Sequence, residues 1–272
     1  MRFENASLRY SRRAPWILTG VDLTLDAGQL AVVLGRNGAG KTTLLSAAAG
    51  LLRPDRGRIV DRPGRVGWVP ERFPAGQPYR VRSYLVGMGR IRGLRAAAAS
   101  AEVDRWASRL HLEPYLDVRL AEVSKGTAQK VGLIQALVAR PDLLVLDEPW
   151  EGLDKPTREE VPQIIAEVLA DGGAVLVSDH LGEVERLPDA VHWHVRDGRV
   201  RPELPPVRQA PPVRQVSPMR QKPALQRWVI EVGAAEADVS TTVARLRSDG
   251  HQVLGVRPEG ISTDVGGLEE AR

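Results

Sequence analysis

A glycine-rich segment followed by a lysine and a threonine carries the clearest chemical pattern in the sequence. It fits GxxxxGK[ST] and reads Gly35-Arg36-Asn37-Gly38-Ala39-Gly40-Lys41-Thr42, with Thr43 next. Glycines allow successive backbone N–H groups to curl around a phosphate, and the positive end of a following helix adds to the attraction. Lys41 is then expected to reach the β- and γ-phosphates of a nucleotide, and the Thr42 hydroxyl to bind Mg²⁺.

Two adjacent carboxylates supply the acidic partner that such a loop needs. Asp147 and Glu148 directly follow the apolar run 143–146. Ligands bind at the carboxyl ends of the strands in an open α/β sheet, so this run predicts a strand that ends at the site. We expect Asp147 to hold Mg²⁺, directly or through water. Glu148 points to the other side by strand alternation and is predicted to be the general base for the attacking water.

The elements that must position these residues are alternating strands and helices. Apolar runs typical of buried strands occupy 29–34, 143–146 and 174–177. Runs that are apolar at successive positions suit a parallel sheet covered on both faces. Helical stretches are predicted at 41–50, 99–111, 126–139 and 156–170. The alternation indicates an α/β domain.

The chain divides into three segments by composition. Residues 1–201 are predicted to be one folded unit. Residues 202–224 are rich in proline and repeat Pro-Pro-Val-Arg-Gln, which predicts an extended linker because proline stiffens the backbone and removes donors. Residues 225–272 return to strand and helix patterns and are predicted to form a small α+β module.

Composition excludes several classes of protein. The sequence has no cysteine, so it can form neither a disulfide framework nor a thiolate metal site. No apolar run is long enough for a transmembrane helix, and the first residues do not resemble a signal peptide, so we expect a cytoplasmic chain. The net charge of +4 comes from 38 basic and 34 acidic residues that are mostly interleaved, which decides nothing about nucleic acid.

The phosphate loop and the acidic strand, in this order, resemble the ATP-binding-cassette (ABC) ATPases. This implies an ABC-type P-loop NTPase core with an antiparallel β subdomain and a helical subdomain, and ATP and Mg²⁺ as cofactors. The family's serine-glycine signature turn is matched upstream of Asp147, where it opens a helix. The resemblance implies that this turn faces the nucleotide of a second subunit, in trans, through Ser124, Lys125, Gly126 and Thr127.

The resemblance extends to three further positions. His180 ends the last core strand, where the family uses a histidine to contact the γ-phosphate and fix the attacking water. Asp154 lies in a loop that resembles the family's subunit contact. Tyr10 lies where the family stacks an aromatic ring on adenine, with an ordinary sheet aromatic as the alternative.

The sequence also departs from the family pattern at two places. Glu71 stands where glutamine is usual, after the strand that leads into the helical subdomain, and a carboxylate there can still approach Mg²⁺ or water. Lys125 and Thr127 replace the commonest signature residues. Lys125 would bring an extra cation near the γ-phosphate of the partner's ATP. These variants resemble exporter-type members.

A single cassette with a short helical segment favours the role of a transporter subunit. The resemblance implies an ATP-hydrolysing subunit that energises a separate membrane-spanning chain for export, with a second nucleotide-binding subunit that is identical or different. It would lie on the inner face of the membrane, and we do not expect nucleic acid as a partner. A basic stretch at 80–95 is a candidate docking surface. The alternative is a soluble ATP-gated switch acting on nucleic acid or a protein.

Overall fold

Strands of two sheets make up the centre of the domain. The computed structural model describes residues 1–179 and 190–203. The strands are β1 Arg2–Leu8, β2 Leu18–Thr24, β3 Leu30–Leu34, β4 Arg56–Val60, β5 Val66–Val69, β6 Leu143–Asp147, β7 Ala174–Ser178, β8 Val191–Arg196 and β9 Arg199–Glu203. A three-stranded antiparallel sheet has the order β2-β1-β4.

The larger sheet has six strands in the order β5-β6-β7-β3-β8-β9. Its first five strands are parallel, and β9 runs antiparallel to β8. The three buried strands predicted from apolar runs are β3, β6 and β7, which lie side by side in the centre. Their carboxyl ends therefore meet at one edge of the sheet.

The helices are α1 Lys41–Ala49, α2 Val81–Ile91, α3 Ala96–Arg109, α4 Lys125–Leu137 and α5 Lys155–Ala170. Four of them match the predicted helical stretches. Helix α2 was not predicted by itself; it lies in the segment expected to form a helical subdomain, and its two glycines lower the helix propensity. Short 3-10 turns at Glu113–Tyr115 and Leu120–Glu122 connect α3 to α4.

Strand alternation divides the core into two layers. In β3, Leu30 and Val32 pack with α2 to α5 on one face, whereas Ala31 and Val33 pack with α1 and the antiparallel sheet on the other. Every residue of β6 and β7 is buried. A sheet covered on both faces explains why these strands are apolar at successive positions.

The boundary of the domain differs slightly from the prediction. Strand β9 continues through Glu203, two residues into the predicted linker, because it completes an antiparallel pair with β8. By backbone contacts the chain divides into Met1–Pro212 and Val213–Arg272. Most of the predicted linker and the whole predicted module at 225–272 lie outside the described residues. Within the part that is described, no helix is long and apolar enough to cross a membrane.

Candidate functional site

The glycine-rich loop joins the end of β3 to the start of α1. Gly38 and Gly40 adopt left-handed backbone conformations, with φ of 78° and 109°. A β-carbon at Gly35 would lie 2.6 Å from the carbonyl oxygen of Val195. Helix α1 begins after Gly40 with no side-chain cap. Its first N–H groups are therefore available to an anion, which fits a phosphate at this position.

Lys41 is buried at the start of α1. Its Nζ donates to the carbonyl oxygen of Gly35 at 3.0 Å and lies 3.4 Å from Glu148 Oε1. Both side chains are more than nine-tenths buried. Removing two charges from water is costly, so a buried pair of this kind is weak evidence for stability. Clustered buried charges at a strand edge are typical of functional sites.

Asp147 ends β6 with one carboxylate oxygen engaged and the other not. Ser178 Oγ donates to Asp147 Oδ1 at 2.6 Å. Among the described residues, Asp147 Oδ2 is buried without a hydrogen-bond partner. An unsatisfied buried carboxylate oxygen is costly unless something binds it. This oxygen fits a Mg²⁺ ion or a water bound to one, and Thr42, the other predicted Mg²⁺ ligand, lies in the first turn of α1.

Glu148 has an unusual backbone conformation directly after the strand. Its φ is 49°, in the left-handed region that non-glycine residues rarely adopt. Such a conformation costs about 1–3 kcal/mol and persists where the surroundings hold it. The Glu148 N–H donates to Ser178 Oγ at 2.9 Å. The turn places the Glu148 carboxylate beside Lys41.

The signature turn caps α4 through its own side chains. Ser124 Oγ accepts a hydrogen bond from the Thr127 N–H at 3.1 Å and lies 2.8 Å from Thr127 Oγ1. Lys125 Nζ donates to Glu151 Oε1 at 2.6 Å. A β-carbon at Gly126 would lie 2.4 Å from the Gly152 carbonyl oxygen. The turn is therefore packed against the loop that follows β6 in the same chain.

A second ion pair joins the same two segments. Asp154 caps α5 by accepting from the Thr157 N–H at 3.2 Å, and it accepts from Lys130 Nζ at 2.8 Å. Desolvation by burial raises the pKa of Asp154, but hydrogen bonds from Lys130 and Thr157 together outweigh it and lower the pKa to about 2. The predicted role of Asp154 in subunit contact stays a prediction.

The structure describes two of the three remaining predicted residues. Tyr10 is 71% exposed, and its hydroxyl lies 3.1 Å from Thr43 Oγ1, beside the start of α1. Glu71 follows β5, and its carboxylate lies 3.8 Å from Arg72 Nε. His180 lies outside the described residues. The roles given to these residues stay predictions.

The basic stretch at 80–95 is largely engaged within the domain. Arg80 donates to the Asp117 carbonyl oxygen, Arg82 to Asp104 Oδ1 at 2.6 Å, and Arg92 to the Ala136 carbonyl oxygen at 3.2 Å. Burial lowers the pKa of Arg92, although the guanidinium stays charged. Arg90 and Arg95 are exposed and are the arginines of this stretch left for docking.

Comparison with known proteins identifies the family. A family model described as "ABC transporter" matches residues 18–151. An uncharacterized ABC transporter ATP-binding protein of Methanocaldococcus jannaschii is 32% identical over 176 residues, which cover 64% of this chain and 67% of that protein. The chain belongs to the ABC transporter family. The predicted family is therefore confirmed.

Two other relatives of this ABC family member are named for opposite directions of transport. The Nod factor export ATP-binding protein I of Burkholderia lata is 36% identical, covering 69% of this chain and 65% of that protein. The zinc import ATP-binding protein ZnuC of Paramagnetospirillum magneticum is 37% identical, covering 64% and 66%. The chain spans about three fifths to two thirds of the length of the curated relatives it matches.

Solved structures confirm the predicted fold. An ATP-binding subunit of an ABC transporter has a TM-score of 0.67 and 27% identity, covering 75% of this chain and 89% of that one. A dimeric ATP-binding cassette in a post-hydrolysis state, bound to ADP and Pi, has a TM-score of 0.66 at 20% identity, covering 75% and 97%. The α/β P-loop architecture of this ABC family member is thus established.

Sequence reasoning missed three residues that the structure brings to this site. Ser178 contacts both Asp147 and Glu148, Glu151 accepts a hydrogen bond from Lys125, and Lys130 donates one to Asp154. The apolar runs predicted that β6 and β7 are buried strands of a parallel sheet. They predicted neither the order nor the register of the strands, and these place Ser178 opposite Asp147.

Proposed function

We propose that this ABC family member binds and hydrolyses ATP with Mg²⁺ and supplies the energy for a separate membrane-spanning subunit. The observation that supports the proposal most directly is the buried pair of Lys41 and Glu148, 3.4 Å apart, beside the unpartnered Oδ2 of Asp147. One sheet edge therefore holds the Lys41 ammonium, the proposed metal-binding carboxylate of Asp147 and the proposed base Glu148.

The residues divide the chemistry among them. Lys41 donates to the terminal phosphates, and the N–H groups at the start of α1 bind phosphate oxygens. Asp147 and Thr42 hold Mg²⁺, which when bound neutralises phosphate charge. A phosphate anion beside Lys41 competes with the Glu148 carboxylate for the same ammonium. Nucleotide binding therefore draws Lys41 from Glu148, which then accepts the proton of the attacking water.

The proposed assembly contains two cassettes that close head-to-tail over two nucleotides. Ser124, Lys125, Gly126 and Thr127 of one cassette would face the nucleotide of the other, and Asp154 would lie at the contact. The second cassette is either a copy of this chain or a related one. Closure on ATP and reopening after hydrolysis form a two-state switch that drives the membrane chain at the inner face of the membrane.

Export is the direction we propose. It is supported by Glu71 in place of glutamine and by the Ser-Lys-Gly signature, both of which resemble exporter-type members. Reconstitution of the assembled transporter with its cassettes outside the vesicle tests this. ATP-driven accumulation of solute inside would support export, and depletion of preloaded solute would contradict it.

The test of transport function uses a variant that binds but does not turn over ATP. Tagged Glu148→Gln is expressed in the native host, purified with ATP present, and analysed for co-purifying chains. A polytopic membrane protein in near-equal amount is expected. Lys41→Ala carries the same tag and is the control, since it should lose ATP-dependent partners. Nucleic acid or ribosomal proteins instead would favour a soluble ATP-gated switch and contradict transport.

The exposed arginines of the basic stretch at 80–95 offer a test of where the membrane chain docks. Arg90 and Arg95 are exposed, whereas Arg92 is tied to α4. The double variant Arg90→Glu/Arg95→Glu should reduce recovery of the membrane chain about tenfold or more, because reversed charges repel a surface that complements arginine, while leaving ATP binding unchanged. Arg196→Glu, at an exposed arginine on β8, is the matched control. Unchanged recovery in the double variant would contradict docking at this surface.

A further inference from the structure

The end of β7 places a serine hydroxyl between the two acidic residues of the site. In the parallel pair of β6 and β7, Asp147 lies in register with Ser178. Residues in register on adjacent strands share one face of the sheet. The Ser178 side chain is fully buried and donates to Asp147 Oδ1 at 2.6 Å while accepting from the Glu148 N–H at 2.9 Å.

The donor direction fixes which oxygen of Asp147 remains for a metal. A serine hydroxyl has one hydrogen, and Ser178 directs it to Oδ1. The other oxygen, Oδ2, is the one left buried without a partner among the described residues. A carboxylate held by one oxygen cannot rotate freely, so its second oxygen is presented in a single direction. Hydrogen bonds of this kind orient metal ligands and tune their affinity.

The acceptor side of the same hydroxyl holds the turn that carries Glu148. With φ of 49°, Glu148 has a backbone conformation that needs support from its surroundings. The bond from its N–H to Ser178 Oγ fixes the orientation of the peptide between Asp147 and Glu148. The position of the Glu148 carboxylate relative to Asp147 is therefore set by Ser178.

We propose that Ser178 is a positioning residue for ATP hydrolysis, whose single hydroxyl aligns the metal-binding carboxylate of Asp147 with the base Glu148. The inference rests on the proposed function of the site. Ser178 does not touch nucleotide in this account. It acts through the two carboxylates, and its loss should alter the dependence on Mg²⁺ as well as the rate.

Ser178→Ala is the direct test, with Ser7→Ala as the matched control. Ser7 is also a buried serine whose Oγ accepts a backbone N–H at 2.9 Å, from Gly20, in the antiparallel sheet away from the site. Both variants lose the same kind of bond to a backbone N–H. Ser178→Ala also removes a donor from the buried carboxylate of Asp147, a predicted metal ligand, so it should lose at least as much thermal stability without nucleotide as Ser7→Ala does.

The decisive readout is binding of a fluorescent ATP analogue, measured with and without Mg²⁺. Ser178→Ala should raise the Mg²⁺ concentration that gives half-maximal binding of the analogue by about 10- to 100-fold. It should reduce kcat by a similar factor at saturating Mg²⁺. Binding of the analogue in EDTA should match the wild type. Ser7→Ala should match the wild type in Mg²⁺ dependence and in kcat.

A second variant keeps the proposal testable where alanine destabilises the strand. Ser178→Cys fills the same buried site with a weaker donor and acceptor and should also need more Mg²⁺ for half-maximal binding. Wild-type Mg²⁺ dependence in a folded Ser178→Ala or Ser178→Cys chain would overturn the inference, as would equal losses in the Ser7 control. If the wild type itself neither binds Mg²⁺-nucleotide nor hydrolyses ATP, the proposed function fails instead.

Discussion

At the scale of single residues, the site consists of three charged side chains grouped at one edge of the larger sheet. Lys41, Asp147 and Glu148 come from the phosphate loop and the end of β6, and each has a different proposed task. Lys41 and Glu148 neutralise each other in the buried pair. Substitutions at the two positions should therefore separate binding of ATP from its hydrolysis.

Glu148→Gln should abolish turnover and preserve nucleotide binding. The amide keeps the size of the side chain but cannot accept a proton, and general base catalysis contributes about 10²- to 10⁴-fold in rate. Phosphate release should fall by at least about 100-fold, while binding of a fluorescent ATP analogue stays near wild type. Glu159→Gln, on the exposed face of α5, is the control. Normal turnover in Glu148→Gln would refute the assignment of the base.

Lys41→Ala should lose most of its affinity for ATP. A hydrogen bond to a charged group contributes about 1.5–3 kcal/mol, so the loss of at least one such bond should weaken binding by about tenfold or more. Isothermal titration measures this directly. Lys155→Ala removes an exposed lysine of α5 and should bind ATP as the wild type does. Equal affinity in Lys41→Ala would argue against a phosphate loop at 35–42.

At the scale of elements, α4 and the start of α5 are joined by contacts that are far apart in sequence. The Lys125–Glu151 and Lys130–Asp154 pairs flank a close approach of Gly126 to the carbonyl of Gly152. The signature turn and the proposed subunit contact should therefore move together. An effect on one should be measurable at the other.

Gly126→Ala should disrupt this contact between elements. The new β-carbon would lie 2.4 Å from a backbone oxygen, which cannot give way as a flexible side chain can. We expect a loss of about 1–3 kcal/mol in unfolding free energy, together with reduced ATP hydrolysis. Gly87→Ala in α2 meets nothing within 4 Å and should be neutral or stabilising by up to about 1 kcal/mol. Chemical denaturation that gives both variants wild-type stability would contradict the close packing.

At the scale of the whole molecule, charge pairs make the stability of the fold depend on pH. Hydrogen bonding to Arg65 is the largest cause of the lowered pKa of Asp142, and hydrogen bonding to Arg109 has the same effect on Glu167. The pKa of Asp154 is lowered to about 2. A carboxyl with a lowered pKa in the folded state stabilises the fold above its unfolded pKa and loses that contribution as pH falls.

Acid should therefore reduce the melting temperature between about pH 5 and pH 2. For Asp154, the stabilisation is present above its unfolded value of 3.8 and disappears as pH falls through about 2. In Asp154→Asn, the melting temperature should be lower than wild type at pH 7, and its decrease over this interval should be smaller. Asp197→Asn, at a side chain that is 88% exposed, should follow the wild-type profile. Parallel profiles for Asp154→Asn and wild type would contradict a stabilising ion pair.

The sequence by itself determined the central strands, four of the helices and the family. Runs that are apolar at every position are only stable when a sheet is covered on both faces, and the glycine pattern of 35–42 is needed for left-handed turns around a phosphate. Tertiary structure alone decided which partners the charged and polar side chains have. Lys125 contacts Glu151, Arg92 is bound to α4, and Ser178 reaches both acidic residues. These contacts depend on strand register and on the packing of segments distant in sequence, and periodicity along the chain carries no information about either.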